Sequence, residues 1–317
     1  MGSRDKPWND KRRLEQEPNL KLSVTVPFID VGGDPVTVRD FAQAAEGLGY
    51  DGLGAPDHVL GVNVANRPDW GQRNTSADLF HDPFVLFGFL AGCTKKIEFS
   101  TQVMILAQRQ TALVAKQAAS LDVLSGGRFR FGVGIGWNPV EYVGLNENFQ
   151  NRGKRSEEQV RVMQALWAER HVKFAGEWHT IDDAGINPLP MKKRVPLWFG
   201  GHEDVTLRRI AKYGDGWIML AHPAGDKARD EFAKLKGYVK DAGRDPSAVG
   251  IEVWVSTGDG GPEVWRRELQ AWKALGVTHA TVNSTYARGP HKRIAGRTMA
   301  AHLEAMTKYR AAVADLL

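Results

Sequence analysis

Apolar and polar positions alternate along the chain in two rhythms that take turns: a short β-rich run, then a stretch with apolar residues three to four apart. Eight such pairs follow one another, which is the signature of parallel α/β architecture. The first pair joins a strand over 22–28 to a helix with Val38, Phe41, Ala45 and Leu48 on one face, stopped by Gly49. A brief strand over 52–55 runs into Pro56, Asp57 and His58. A long polar excursion follows to His81, then a helix that Asp82 caps and Pro83 starts. The third strand spans 97–105, and its helix spans 112–124 with Leu113, Gln117, Leu121 and Leu124 on one face.

The fourth strand covers 129–133 and leads into a helix over 155–167, with a small hairpin around 174–181 inserted afterwards. The fifth strand covers 197–199 and feeds a helix holding Val205, Ile210 and Ala211. The sixth covers 216–219 with a helix over 227–242. The seventh covers 251–256 with a helix opened by Pro262 that buries Trp265, Leu269 and Trp272. The eighth covers 280–283, and the final helix places Met299, Leu303, Met306 and Val313 together. Eight units predict a closed (β/α)8 TIM barrel with loop insertions over residues 20–317. An open doubly wound sheet is the alternative that the same pattern leaves. No Pro-rich, Gly/Ser-rich or single-charge linker divides the chain. Residues 1–19 are charged and read as a loosely ordered arm, without the apolar core of a secretion signal.

Composition narrows the picture only in places. The 317 residues, 42% hydrophobic and 25% charged, suit one large globular domain. The single cysteine, Cys93, excludes an intramolecular disulfide and fits a reducing cytoplasm; its apolar neighbours predict simple burial. The most apolar stretch, 83–93, is about half of what a bilayer span needs and predicts a buried helix. A net charge of +5 is spread along the chain, and its densest run, Lys192, Lys193 and Arg194, lacks an aromatic ladder, so no nucleic-acid partner is expected.

In a barrel, chemistry sits just after each strand. Those positions are Asp57 and His58, then 102–109, 134–138, 200–202, 219–222 and 284–288, the last ending at Arg288. They are rich in glycine and histidine and poor in the paired carboxylates of glycosidases. His58, with Asp57 beside it, is a candidate proton donor or base near neutral pH. No His-x-His or His-Glu-x-x-His spacing marks a metal site, and no Gly-x-Ser-x-Gly elbow marks a nucleophile. Gly200, Gly201 and His202 open a helix, where free backbone N–H groups favour an anion such as phosphate; a tight strand-to-helix turn would want the same glycines. Gly132, Gly134 and Gly136 do not complete a dinucleotide fingerprint, because Asn138 breaks the spacing. Glycine there equally suits backbone lying close to a flat ring.

Residues 121–129 (LDVLSGGRF), 132–137 (GVGIGW), 196–202 (PLWFGGH) and 213–217 (YGDGW) together resemble the bacterial-luciferase-like superfamily of flavin monooxygenases and deazaflavin (coenzyme F420) oxidoreductases, in its F420-dependent branch. The resemblance covers about residues 20–317. It implies a tricyclic ring across the barrel mouth, touching Gly134, Gly136, Trp137 and Asn138, with the side-chain phosphate at Gly200, Gly201 and His202. It further implies a non-prolyl cis peptide at Gln102-Val103 pressed against the ring, and an Asp57-His58 pair in which Asp57 contacts the ring and His58 is catalytic. Some members place a glutamate directly after the strand-four glycines, where this chain has Trp137 and then Asn138. The activity implied is hydride transfer between F420 and a small organic substrate. FMN-dependent monooxygenation with reduced flavin and oxygen, and a non-catalytic flavin-binding barrel, are the alternatives. A homodimer is implied as well. The excursion over 61–78, with Trp70, would serve either as a lid on the mouth or as a contact between copies.

Overall fold

The computed structural model describes residues 20–71, 73–287 and 289–317. The charged arm over 1–19 and Arg288 therefore lie outside the described residues. Among the described residues, eleven strands and ten α-helices follow in order. They are β1 Lys21–Thr25, α1 Phe28–Val31, α2 Pro35–Gly47, β2 Gly52–Ala55, α3 Pro83–Cys93, β3 Glu98–Thr101, β4 Met104–Ile105, α4 Thr111–Leu124, β5 Phe129–Gly134, α5 Pro139–Gly144 and α6 Arg152–Ala168. The second half holds β6 Val172–Ala175, β7 Thr180–Ala184, β8 Leu197–Gly200, α7 Asp204–Tyr213, β9 Gly216–Met219, α8 Asp226–Asp241, β10 Gly250–Ser256, α9 Pro262–Ala274, β11 His279–Asn283 and α10 Met299–Ala312.

Parallel pairing runs β3-β2-β1-β11-β10-β9-β8-β5, and β5 returns to β3 through Phe99 opposite Phe129. The sheet therefore closes on itself, and the open-sheet alternative falls: the fold is an eight-stranded parallel TIM barrel. The third strand, expected as one run to Ile105, is broken between β3 and β4 by Gln102 and Val103, whose peptide bond is cis as the resemblance implies. The expected hairpin is β6 and β7, antiparallel and outside the barrel.

Local signals set the helix ends. Asp34 accepts from the N–H groups of Val36 and Thr37 at the start of α2, Pro35 takes the first turn, and Gly49 lies just past the end at φ +77°. Asp82 caps α3 in the same way, accepting from Phe84 and Val85.

Two expectations about helix burial need correction, on α4 and on α3. On α4, Leu113 and Leu124 are exposed; the buried side is Val114, Ala115, Ala118, Ala119, Leu121 and Asp122. Small alanines let the helix lie close to its neighbours, and the indole N–H of Trp167 from α6 reaches the carbonyl of Ala115 at 2.9 Å. On α3, Phe84, Leu86, Phe87 and Leu90 are buried, whereas Val85 and Phe89 face outward and Cys93 is only partly covered. Val205 at the start of α7 is exposed, while Ile210 and Ala211 are buried.

Five elements of the barrel meet in one buried polar knot. Glu252 of β10, fully buried, is joined by Arg130 of β5, by the side-chain amide of Gln102, and by the hydroxyl of Thr281 of β11 at 2.6 Å. Gln102 also donates to Thr281 at 3.0 Å and accepts from Thr25 of β1 at 3.4 Å. Residues from such separate strands converge only inside a closed barrel. The knot ties the break in the third strand to the opposite wall.

Candidate active site

A cavity of about 590 Å³ opens at the carboxyl ends of the strands, within the range of small-molecule sites. Its lining comes from the segments following β1, β2, β3, β5, β9 and β11, together with Trp254 on β10. Of the residues singled out in the sequence, Asp57, His58, Gln102, Val103, Gly136 and Trp137 line it. Gly134, Asn138, Gly200, Gly201 and His202 do not.

His58 is held from behind. Its Nδ1 lies 3.0 Å from Oε2 of Glu141, whose side chain is fully buried. Glu141 also accepts from the N–H groups of Val59 at 2.8 Å and Leu60 at 3.3 Å, and from the amide of Asn74 at 3.4 Å. Burial works to raise the Glu141 pKa, but the bond from His58 and the two backbone donors outweigh it and hold the carboxyl below its usual value. An ionised Glu141 fixes the tautomer with the proton on Nδ1 and leaves the Nε2 lone pair of His58 for a reactant. The ring is wedged edge-on between Phe80 at 5.0 Å and Trp137 at 6.1 Å, which sets its angle.

Asp57 has another task. It accepts from the N–H of Ile105 at 2.9 Å and pairs with Arg109 at 2.7 Å; Arg109 in turn reaches Asp82 at 2.9 Å. Burial opposes the Arg109 charge, yet Asp57 and Asp82 outweigh it and keep the guanidinium protonated. Asp57 thus pins the end of the third strand to the end of the second and places His58, its neighbour.

Val103, turned by the cis bond, forms a shelf between two glycines. A Cβ on Gly134 would stand 2.6 Å from Val103 Cγ2, and one on Gly200 would stand 2.9 Å from Val103 Cγ1, so neither position tolerates a side chain without displacing the shelf. Beyond Gly200, the N-terminus of α7 has no side-chain cap, and Gly201 sits at φ +120°. Asn138 turns inward instead: it is fully buried and caps α5 by accepting from Val140 N at 2.9 Å.

Glu141 escaped the sequence reading because it sits one turn into α5, three residues past Asn138, not directly after the glycines. Its only local signal was the Asn138-Pro139 helix start. The excursion over 61–78, of which Gln72 is not described, folds against the cavity wall. Trp70 lies 5.6 Å from the ring of Trp137, the guanidinium of Arg73 stands 4.7 Å over that ring, and Arg73, Asn74 and Asp78 line the cavity. Among the described residues, no cluster of side chains has the makings of a metal site, and no helix is long and apolar enough to cross a membrane.

Comparison with known proteins bears on this geometry. The sequence profile of the luciferase-like monooxygenase family matches residues 23–315. An F420-dependent glucose-6-phosphate dehydrogenase of Gordonia bronchialis is 27% identical over 272 residues, 83% of this chain and 76% of the relative. A pyrimidine monooxygenase, RutA, of Allorhizobium ampelinum is 34% identical over 175 residues, 53% of this chain and 47% of the relative. Among solved structures, an F420-dependent secondary alcohol dehydrogenase holding an F420-acetone adduct superposes with a TM-score of 0.74 at 19% identity, covering 93% of this chain and 99% of that one. That likeness shows the fold.

Proposed function

Because the chain belongs to the luciferase-like monooxygenase family, whose profile takes in nearly all of the barrel, we propose that this flavin- or F420-dependent oxidoreductase moves a hydride between F420 and an organic substrate. The observation that carries this reading is His58: its Nδ1 is committed to the buried carboxylate of Glu141 and its Nε2 is left over at a cavity in the barrel mouth. Hydride transfer to or from a carbon that bears oxygen is accompanied by a proton, and a carboxylate-oriented imidazole is suited to carry it.

The residues present fit a planar cofactor with a charged tail. The Val103 shelf, Gly136 and Trp137 would lie along the ring, and the uncapped start of α7 with Gly200, Gly201 and His202 would take the phosphate. The cofactor, when bound, supplies the carbon that gives or accepts hydride. The chain supplies the rest. His58 Nε2 takes up the proton that the substrate releases on oxidation, or returns it on reduction. Glu141 stabilises the imidazolium that forms meanwhile. Trp70, Trp137 and Phe80 keep water away from that exchange.

The named F420-dependent relative supports this choice of cofactor. The RutA likeness supports a second reading, monooxygenation with reduced FMN and oxygen. Titration with F420 and FMN, oxidised and reduced, followed by turnover with and without air, separates the two. Under the first reading F420 binds, turnover proceeds anaerobically, and His58→Ala retains binding but loses turnover. Unchanged turnover in that variant rejects the role of His58, and substrate-dependent oxygen uptake with reduced FMN transfers the assignment to the second reading.

A further inference from the structure

The wall of the cavity facing away from the His58–Glu141 pair carries hydrogen-bond donors for which the described residues offer no acceptor. Trp254, only 5% exposed, lines the cavity, and its indole N–H has no partner among the described residues. The hydroxyls of Thr285 and Tyr286, both cavity-lining, are buried and likewise unpaired. Trp254 and Tyr286 stack with ring centroids 5.9 Å apart and planes 24° from parallel, so the two polar groups are carried by one rigid aromatic pair. Arg297 joins them from the loop before α10 as a solvent-exposed cation at the rim, and among the described residues no ion pair engages it. Buried polar groups are seldom left unsatisfied, and those facing a cavity find their partner in what the cavity holds.

The charge of the cavity points the same way. Two of its three carboxylates are paired with cations, Asp57 with Arg109 and Asp30 with Arg293; Asp78 accepts from the N–H of Thr75 and stands against the cations Arg73 and Arg297 of the same lining. One unpaired acceptor, Oδ1 of Asn74, lies on the opposite side, with Glu141. The unspent groups of this wall include a guanidinium and an indole, which can only donate. A neutral apolar substrate would leave the buried indole and hydroxyls unpaired. A neutral alcohol would satisfy one and strand the others.

We propose that Trp254, Thr285, Tyr286 and Arg297 form a subsite for an anionic group of the organic substrate, a carboxylate or a phosphate ester, held across the cavity from His58. The inference rests on the proposed function insofar as that reading gives the cavity an organic substrate. The subsite itself is readable by binding alone.

Three probes of matched shape test it by calorimetry at fixed ionic strength: phenylacetate, phenyl phosphate and the neutral phenylacetamide. Each is titrated into the protein alone and into the protein with oxidised F420. At least one anion binds about tenfold more tightly than the amide, as charge-assisted bonds to an arginine and buried donors require. Whether phenylacetate or phenyl phosphate leads tells which group the substrate carries. Arg297→Gln and Tyr286→Phe each shrink the preference while leaving amide binding and F420 affinity within twofold. Equal binding of all three probes, or no measurable binding of any, overturns the proposal. So does an Arg297→Gln variant that loses F420 affinity and keeps the anion preference, because the anion served would then be the cofactor's. Loss of F420 binding in the native protein with the preference intact removes the redox reading and leaves the subsite.

Discussion

Glu252 is the residue whose removal should cost the barrel most, and the cost can be worked from its partners. It is fully buried and accepts from Arg130, Gln102 and Thr281. Glu252→Leu leaves the Arg130 charge inside the barrel without its counter-ion. Breaking one side of a buried pair costs about 3–5 kcal/mol. Arg130 keeps one consolation, the face of Trp198 at 4.3 Å, which places the loss toward the lower end of that range. For a chain of this length each kcal/mol moves the melting temperature by roughly 2 °C, so the variant melts roughly 6–8 °C early. Adding Arg130→Met removes the stranded charge and recovers more than half of the loss. The remainder, about 1 kcal/mol, is the bond that Gln102 no longer makes, softened by its surviving link to Thr281 at 3.0 Å. Thermal melts followed by circular dichroism decide the matter. A single variant within a degree of the native protein, or a double variant no better than the single, refutes the account of the knot as a coupled pair.

Glu141→Gln keeps the shape but removes the charge behind His58; turnover falls about a hundredfold or more while substrate KM and cofactor affinity stay within twofold, and equal losses in all three would mark Glu141 as merely structural. His279 is pushed down to about 2 by burial first, then by Arg130 and Lys21. The unfolded chain protonates this histidine near pH 6.5 and the folded chain does not, so stability is complete above pH 6.5 and declines below it by about 1.4 kcal/mol per pH unit. Urea midpoints between pH 6.5 and 5 read that slope, and His279→Gln flattens it; an unchanged slope removes His279 as its cause. The homodimer that the family resemblance implies would cover Val85 and Phe89 of α3 and Leu113 and Leu124 of α4, which stand 71%, 41%, 53% and 75% exposed. Native protein then sediments as a dimer and Phe89→Glu as a monomer with unchanged helicity, whereas a monomeric native protein rejects this surface.

Much of the fold was legible because the signals are local. A strand of four to seven residues followed by an amphipathic helix, repeated eight times, needs no tertiary information. Asp82-Pro83 and Gly49 mark their helix ends by chemistry confined to a single turn. Periodicity failed where it assumes that large apolar residues face inward. On α4 the close approach of α6 selects alanine for the buried side and pushes Leu113 and Leu124 out, and no window of residues 111–124 reports how near its neighbour lies. The break at Gln102 and Val103 was hidden for a similar reason: the residues on both sides of it read as one β-rich run, and only the family resemblance marked the cis bond.

The site divides along the same line. His58 was legible from its place after a strand, since strand ends in a barrel converge whatever their sequence. Glu141 was not, because 83 residues separate it from the histidine it orients, and its burial depends on loop and helix meeting in space. Asp57 lines the same cavity, but its partners were as hidden as those of His58. Its carboxylate is bound to Arg109 and to the backbone of Ile105, 52 and 48 residues further along the chain. A partner for a base such as His58 is better sought on the next helix in space, where a buried carboxylate has a reason to be ionised.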